Sequence, residues 1–154
     1  MLIFFIKMKW KIVPFDRLTT TDLYALLRLR AAVFIVEQNC VYQDIDNQDQ
    51  NAYHIIGKKK EENICAYARI IPPKNGYVSI GRVVVEAKER NRGYGKNVIV
   101  KAIKFCQQKF IGFPIKISAQ KHLESFYSSL GFEYRGEDYL EDNIPHCAMY
   151  YSFE

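Results

Sequence analysis

Residues 79–85 (SIGRVVV) and residues 90–95 (RNRGYG) decide the fold that this sequence predicts. The first stretch is rich in β-branched residues, which is typical of a buried strand. Polar residues 86–91 end that strand. Residues 96–110 then place Val98, Ala102 and Cys106 on one face at helical spacing. The order is therefore strand, glycine loop and amphipathic helix.

The glycine loop has the properties of a phosphate site. Gly93 and Gly95 let the main chain turn and approach a ligand closely at the start of the helix. Free N–H groups and the positive end of the helix dipole favour an anion there, and Arg90, Arg92 and Lys96 add charge. No Gly-Lys-Ser/Thr follows, and the third glycine of a dinucleotide fingerprint is missing. Alternatively, the glycines only complete a strand-to-helix turn.

Length and composition predict one domain over residues 8–154, preceded by a short extension at residues 1–7. The chain has 154 residues, 49% of them hydrophobic, which is enough for a core without metal or disulfides. The apolar run at residues 2–6 is too short to span a membrane. The four cysteines form no Cys-x-x-Cys pair and no metal-ligand spacing with histidine. We expect reduced thiols, a cytoplasmic protein and no metal.

Charge is divided unevenly along the chain, although the net charge is only +5. Residues 88–116 hold eight Lys or Arg against one acid, Glu89. Residues 37–49 and 136–145 each hold four acids and no Lys or Arg. A nucleic-acid-binding domain would suit the basic middle, but aromatic interleaving and a helix-turn-helix pattern are missing. An anionic cofactor explains the basic stretch more simply.

The remaining elements follow from periodicity and turn residues. The pattern predicts strands at residues 9–15, 52–57, 64–71, 115–118, 132–135 and 146–153, with helices at 19–37 and 122–130. Thr19 is a plausible cap for the first helix, and Arg30 is placed on its apolar stripe through its stem. Turns are expected at residues 58–63 and 72–76, and a loop at 136–145.

A second motif lies about thirty residues beyond the glycine loop. Residues 114–120 (PIKISAQ) read as a strand, and residues 126–132 (FYSSLGF) follow as the end of a helix. Together with Arg-x-x-Gly-x-Gly, this resembles the GCN5-related N-acetyltransferases, the GNAT superfamily. Further segments, such as residues 30–38 (RAAVFIVEQ), 66–70 (AYARI) and 144–146 (IPH), resemble its ElaA-type branch.

The resemblance implies a mixed, mostly antiparallel central sheet flanked by helices, with acetyl-CoA bound where two central strands part. The implied cofactor contacts are the main chain of Val83, Val84 and Val85 and the side chain of Gln120, which stands where the superfamily often has Asn. The implied pyrophosphate loop consists of Arg90, Asn91, Arg92, Gly93, Tyr94, Gly95 and Lys96. Tyr127 matches the general acid that protonates the departing thiolate. Its alternative role is that of a core aromatic residue.

The acceptor side is less determined. Candidates for the general base are Glu37, His54, His146, Asp44 and Glu86, and each of them also has a structural alternative. By resemblance, Glu37, Tyr42, Asp44, Asp46 and His54 lie on the acceptor side. Two acidic loops there would attract a cation, which predicts a small-molecule or lysine-bearing amine as acceptor. We expect neither a nucleic acid nor a membrane as partner. A non-catalytic acetyl-CoA sensor and a homodimer are left open.

Overall fold

The computed structural model of the chain describes residues 6–60 and 63–154. Seven strands are present in this part: β1 (Lys9–Pro14), β2 (Tyr53–Lys60), β3 (Asn63–Lys74), β4 (Tyr77–Val85), β5 (Ile115–Gln120), β6 (Glu133–Glu141) and β7 (Ile144–Tyr151). The α-helices are α1 (Thr20–Arg30), α2 (Tyr94–Lys109) and α3 (Glu124–Ser129). A π-helical segment, Ala31–Glu37, continues α1.

The strands form one sheet in the order β1-β2-β3-β4-β5-β7-β6. Neighbouring strands are antiparallel except β4 and β5, which run parallel. The predicted α/β class, with a mixed and mostly antiparallel central sheet, is confirmed.

Two irregularities in β4 open the middle of the sheet. Strand β4 pairs with β5 only at Val78 and Ser79, so the rest of β4 has no strand partner on that side. On its other side, the pairing with β3 shifts register between Tyr67 and Arg69, which marks a β-bulge. Arg82 lies in the bulge with a φ of 52°, in the left-handed region. The two central strands therefore part towards the carboxyl end of β4.

Alternating side chains of the sheet pack against helices on both faces. Ile55 and Ala66 join a core with Val98 and Ala102 of α2. Their neighbours in sequence, such as Ile56, pack on the opposite face against Leu26 and other residues of α1. Burial of a side chain such as Leu26 is worth about 1.5–3 kcal/mol. The sheet is thus the middle of three layers.

Several predicted elements change at their ends. Thr19 caps α1 as expected, its Oγ accepting the Asp22 N–H at 3.0 Å. The predicted helix at 19–37 is confirmed in extent, but its geometry changes from α to π after Arg30. The predicted turn at 72–76 is shorter: β3 continues to Lys74, and the turn is confined to residues 75–76. The predicted turn at 58–63 falls partly on residues 61–62, which lie outside the described residues; residues 58–60 belong to β2.

The expected loop at 136–145 is wrong, because most of it is strand. Strand β6 extends to Glu141 and β7 starts at Ile144. Only Asp142 and Asn143 form the turn, both with positive φ. Both residue types adopt this conformation more readily than most, so a tight hairpin is favoured.

Within the described residues, no helix is long and apolar enough to cross a membrane.

Candidate active site

A cleft of about 630 Å³ opens where β4 and β5 part. Its walls come from the carboxyl half of β4, the end of β5, the π segment, the start of α2, α3 and the β6–β7 hairpin. Sequence-predicted residues that line it are Glu37, Tyr42, Val83, Val84, Val85, Arg90, Asn91, Gly93, Tyr94, Gly95, Gln120, Tyr127 and His146. The fold therefore brings most of the predicted site into one cleft.

The start of α2 is open to a ligand. Gly93 is the N-cap, with a φ of 80°, and no side chain caps the helix terminus. A Cβ at Gly93 would meet nothing within 4 Å, and one at Gly95 would lie 3.9 Å from Phe126 and Val85. The N–H groups of the first turn of a helix have no intrahelical partner and bind anions readily. Asn91 also takes a positive φ, 62°, just before this turn.

Arg90 faces the cleft, but its guanidinium is already engaged. Nη1 and Nη2 donate to the two Glu37 carboxylate oxygens at 2.9 and 2.7 Å, and Nε donates to the Val85 carbonyl. The hydrogen bond from Arg90 lowers the pKa of Glu37, which makes this carboxylate a weak base. Arg92 likewise pairs with Glu89 at 3.0 Å. Main-chain N–H groups are therefore the more available phosphate ligands.

The free edge of β4 presents main-chain groups to the cleft. Val83, Val84 and Val85 lie beyond the last pairing of β4 with β5, so this edge has no strand partner. An extended ligand with amide groups, such as a pantetheine arm, can hydrogen-bond to such an edge as an added strand would.

Tyr127 lies on α3 and is buried, with 7% of its surface exposed. Its ring packs edge-on against Phe126 and Phe132, at centroid distances of 5.1 and 5.8 Å. Burial raises the pKa of Tyr127 to about 12, so the phenol keeps its proton near neutral pH. The residue thus belongs to the aromatic core and also lines the cleft, with its phenol protonated.

Arginines from elsewhere in the chain pair with every acid of residues 37–49. Besides the Glu37–Arg90 pair, Asp44 contacts Arg30 and Arg82 at 3.0 and 2.8 Å. The remaining pairs join Asp46 to Arg69 and Arg82, and Asp49 to Arg30 and Arg69. The acids of this stretch are therefore neutralised by arginines, which weakens their expected attraction for a cation.

Arg30, predicted to bury only its stem, is buried completely. Burial opposes its charge, but the hydrogen bond to Asp49 and nearby negative charges outweigh this effect and raise the pKa of Arg30. Asp46, although burial disfavours its charge, has a pKa lowered to about 2, chiefly by Arg69. Tyr42 joins the network through a 3.0 Å hydrogen bond to Asp44. We call these paired side chains, Arg30, Arg69, Arg82, Asp44, Asp46 and Asp49, the arginine–aspartate network.

His54 lies in the core beside this network and does not line the cleft. Its Nδ1 accepts the Tyr67 hydroxyl at 2.7 Å, and its Nε2–H donates to the Asp49 carbonyl at 2.9 Å. Burial lowers the pKa of His54. The expectation that His54 contacts an acceptor, or acts as the base, does not fit a fully enclosed ring with both nitrogens engaged.

A polar group on the β6–β7 hairpin forms the opposite wall. His146 Nε2 lies 3.2 Å from Glu141 Oε2, and its Nδ1 lies 2.7 Å from the Ile144 carbonyl oxygen. Tyr139 donates to Ser118 Oγ at 2.5 Å, and Ser118 donates to Glu141 at 3.3 Å. Gln120 lies nearby on β5 and donates to Gln38 Oε1 at 3.2 Å. Sequence reasoning missed Ser118 and Tyr139, whose spacing carried no motif, and it included Glu141 only as one of the four acids of residues 136–145 on the expected acceptor side.

A cluster of possible metal ligands lies beside the cleft, at Cys65, Glu86 and Glu89, with ligand atoms within 4.8 Å of one another; of the three, Glu89 also lines the cleft. Glu89 already accepts Lys59 and Arg92, and burial raises the pKa of the Cys65 thiol. A thiol that resists ionisation and an occupied carboxylate make a poor metal site. Glu86, a predicted base candidate, belongs to this cluster and not to the cleft.

Comparisons with known proteins identify the family of this chain. A family model for the acetyltransferase (GNAT) domain matches residues 23–153. The chain belongs to the GNAT acetyltransferase family. It is 42% identical to the protein ElaA from Escherichia coli over 145 residues. This aligned region makes up 92% of this chain and 94% of ElaA.

Solved structures of GNAT relatives share the whole fold. An acyl-CoA N-acyltransferase from Pseudomonas aeruginosa superposes with a TM-score of 0.90 at 36% identity, covering 95% of this chain and 100% of that one. The crystal structure of Escherichia coli ElaA gives 0.88 at 39% identity, with the same two coverages. The predicted resemblance to the ElaA-type branch is confirmed.

Proposed function

We propose that this GNAT member is an acetyl-CoA-dependent N-acetyltransferase that transfers the acetyl group directly to an amine in a ternary complex. The carrying observation is that one cleft combines the unpaired edge of β4, the uncapped start of α2 and the protonated Tyr127. Each of these matches one requirement of thioester aminolysis. Similarity to an acyl-CoA N-acyltransferase supports the same conclusion.

In this proposal, the main chain does most of the binding. The first turn of α2, with Gly93 and Gly95, holds the pyrophosphate, and Gln120 contacts the cofactor from the end of β5. The edge at residues 83–85 aligns the thioester. A β4 N–H donates a hydrogen bond to the carbonyl oxygen as negative charge develops there, an interaction worth about 3 kcal/mol. Tyr127 donates its proton towards the sulfur as the C–S bond breaks.

We further propose a cationic acceptor. The support comes from two acidic residues that line the cleft, and not from the acidic composition of both loops. Glu141, the last residue of β6, and Asp142 of the hairpin turn line the cleft, whereas the aspartates of the arginine–aspartate network are neutralised. Carboxylates at a cleft mouth raise the local concentration of a protonated amine. A polyamine or a lysine side chain fits this wall better than a neutral sugar amine or an anionic amino acid.

The test combines acetyl-CoA calorimetry with a thiol-release assay. Spermidine, Nα-acetyl-lysine, glucosamine phosphate and glutamate serve as acceptors at low and high salt. We expect the highest kcat/KM for the two cations, falling as salt screens the cleft. Preference for the anions, or no salt dependence, would contradict the cationic acceptor. Tight acetyl-CoA binding without acetylation of any amine would favour a non-catalytic sensor.

Location is a separate proposal. The four cysteines are free thiols in the structure, with Cys65, Cys106 and Cys147 buried. Reduced cysteines are typical of reducing compartments, which supports the expected cytoplasmic location.

A further inference from the structure

His146 and Glu141 present two hydrogen-bond acceptors to each other. The Ile144 carbonyl can only accept, so His146 Nδ1 must carry the hydrogen of that 2.7 Å contact. In the neutral ring, Nε2 then has a lone pair, and it points at a carboxylate oxygen 3.2 Å away. Two acceptors at this distance need a donor between them. That donor is either an added proton or a group rich in N–H bonds.

The surrounding side chains hold Glu141 in this orientation. Ser118 donates to the same carboxylate oxygen that faces His146, and Tyr139 donates to Ser118. The Tyr139 ring also stacks on His146, with planes 17° apart and centroids 6.2 Å apart. Burial raises the pKa of Tyr139, which therefore keeps its hydroxyl proton. The titratable groups around His146 and its partners are Glu141, Tyr139, Lys116 and Cys147. Glu37 and Tyr127 line the same cleft.

Other base candidates are placed differently. Glu37 is bound by Arg90, Asp44 belongs to the arginine–aspartate network, and His54 is enclosed in the core. The Glu141 side chain is 52% exposed, and that of His146 is 8% exposed. A soluble cation can therefore reach the pair from solvent through Glu141.

We propose that Glu141 and His146 together receive the acceptor ammonium, with His146 as the catalytic base and Glu141 as its positioning partner. This inference rests on the proposed function. The ammonium donates one N–H to Glu141 and one to His146 Nε2, which takes that proton as the amine regains its lone pair. The lone pair attacks the thioester carbonyl carbon. The carbonyl oxygen takes up negative charge and returns its electron pair as the C–S bond breaks, and the C–S electron pair leaves with sulfur, which is protonated by Tyr127. The second proton that the nitrogen loses on becoming an amide passes to the Tyr127 phenolate and restores the phenol. His146 releases its proton to water through exposed Glu141.

The activity test compares His146→Gln and Glu141→Gln with Glu133→Gln, a control on β6 whose exposed carboxylate pairs with Arg135. With Nα-acetyl-lysine as acceptor, His146→Gln should lower kcat/KM about 100-fold at pH 7. The loss should shrink towards pH 10, because a lysine amine, with a pKa near 10.4, then loses its proton unaided. Glu141→Gln should raise KM for this cation more than it lowers kcat.

If His146 had only a structural role, the loss of kcat/KM in His146→Gln would be the same at every pH, and this result would overturn the proposal. An unchanged KM in Glu141→Gln would also overturn it. Melting curves identify any variant that fails to fold. If His146→Gln fails to fold, the KM of Glu141→Gln decides the outcome, because the half-exposed Glu141 side chain can be replaced without disturbing the core.

A second readout needs no acceptor. Imidazole 15N spectra of the unmodified protein, between pH 7 and 9, should place a proton on His146 Nδ1 throughout. A neutral ring protonated only at Nε2 would overturn the proposed pair. Failure of every amine acceptor would instead refute the proposed function, so the two failures are distinguishable.

Discussion

Asp49→Ala should destabilise the protein far more than the loss of an average surface charge. Asp49 is 5% exposed, and its Oδ1 accepts Arg30 at 2.7 Å and Arg69 at 3.1 Å. Removing it leaves three arginines of the network facing two aspartates. Truncating one partner of a buried ion pair costs about 3–5 kcal/mol, because the remaining charge stays buried. In a domain of this size, that corresponds to a melting temperature lower by roughly 6 to 20 °C.

The assay is urea unfolding followed by the fluorescence of Trp10, with circular dichroism as a second probe. The matched control is Asp138→Ala, which removes an exposed aspartate that pairs with Lys121 at 3.1 Å. We expect the control curve to lie close to that of the unmodified protein, since exposed pairs contribute little. If Asp49→Ala unfolds at the same urea concentration as the control, the network does not stabilise the fold as argued.

Three further predictions concern the loop, the acid and the pH. Gly93→Val should abolish the rise in melting temperature caused by acetyl-CoA. Gly112→Val is the control for backbone strain, because Gly112 has a φ of 86° and Gly93 one of 80°, and this variant should retain the rise. An equal rise in both variants would show that the loop is not part of the site. Tyr127→Phe should keep acetyl-CoA affinity and lower kcat about 10- to 1000-fold, measured by thiol release; unaltered kcat would leave Tyr127 a core residue only. Because Asp46 has its pKa lowered from 3.8 to about 2, its stabilisation is complete above pH 4 and is lost as the pH falls towards 2. Urea midpoints measured between pH 5 and 2 should therefore decrease, and an Asp46→Asn variant should show a smaller decrease.

The parts of the fold that were predictable from sequence are those set by local pattern. The β4 strand, the glycine loop and α2 follow one another within a short stretch, and each has its own periodicity or turn signal. Thr19 was likewise readable as a cap from its spacing to Asp22. The end of α1 was not, because π geometry after Arg30 leaves the apolar character of residues 31–36 unchanged.

The arginine–aspartate network could not be derived from local pattern, because its members come from α1, β3, β4 and one loop. Counting acids by segment suggested an exposed negative surface, yet the compensating charges lie far away in sequence. A signal did exist: Arg69 stands inside the apolar run of β3, and Arg30 on an apolar helix stripe. A buried arginine requires a carboxylate partner, and residues 44–49 were the nearest unassigned source.

The β6–β7 hairpin was underestimated for a related reason. Residues 136–141 are nearly all exposed, so the strand shows no buried alternation on which a pattern could depend. Its order comes from pairing with β7, which begins only after the turn at Asp142 and Asn143.

The arginine–aspartate network also has a consequence for how this GNAT scaffold can diversify. Residues 44–49 are tied to three separate elements through arginines, two of them buried and Arg82 half-buried, so a change there must be matched by changes elsewhere in the chain. Strand β6 is less constrained, since it is an edge strand with exposed side chains, and only Tyr139 and Glu141 belong to the polar group around His146. Inherited variation can therefore accumulate at the other positions of β6 one substitution at a time. New acceptor preferences can arise there while the other wall of the cleft is handed on intact.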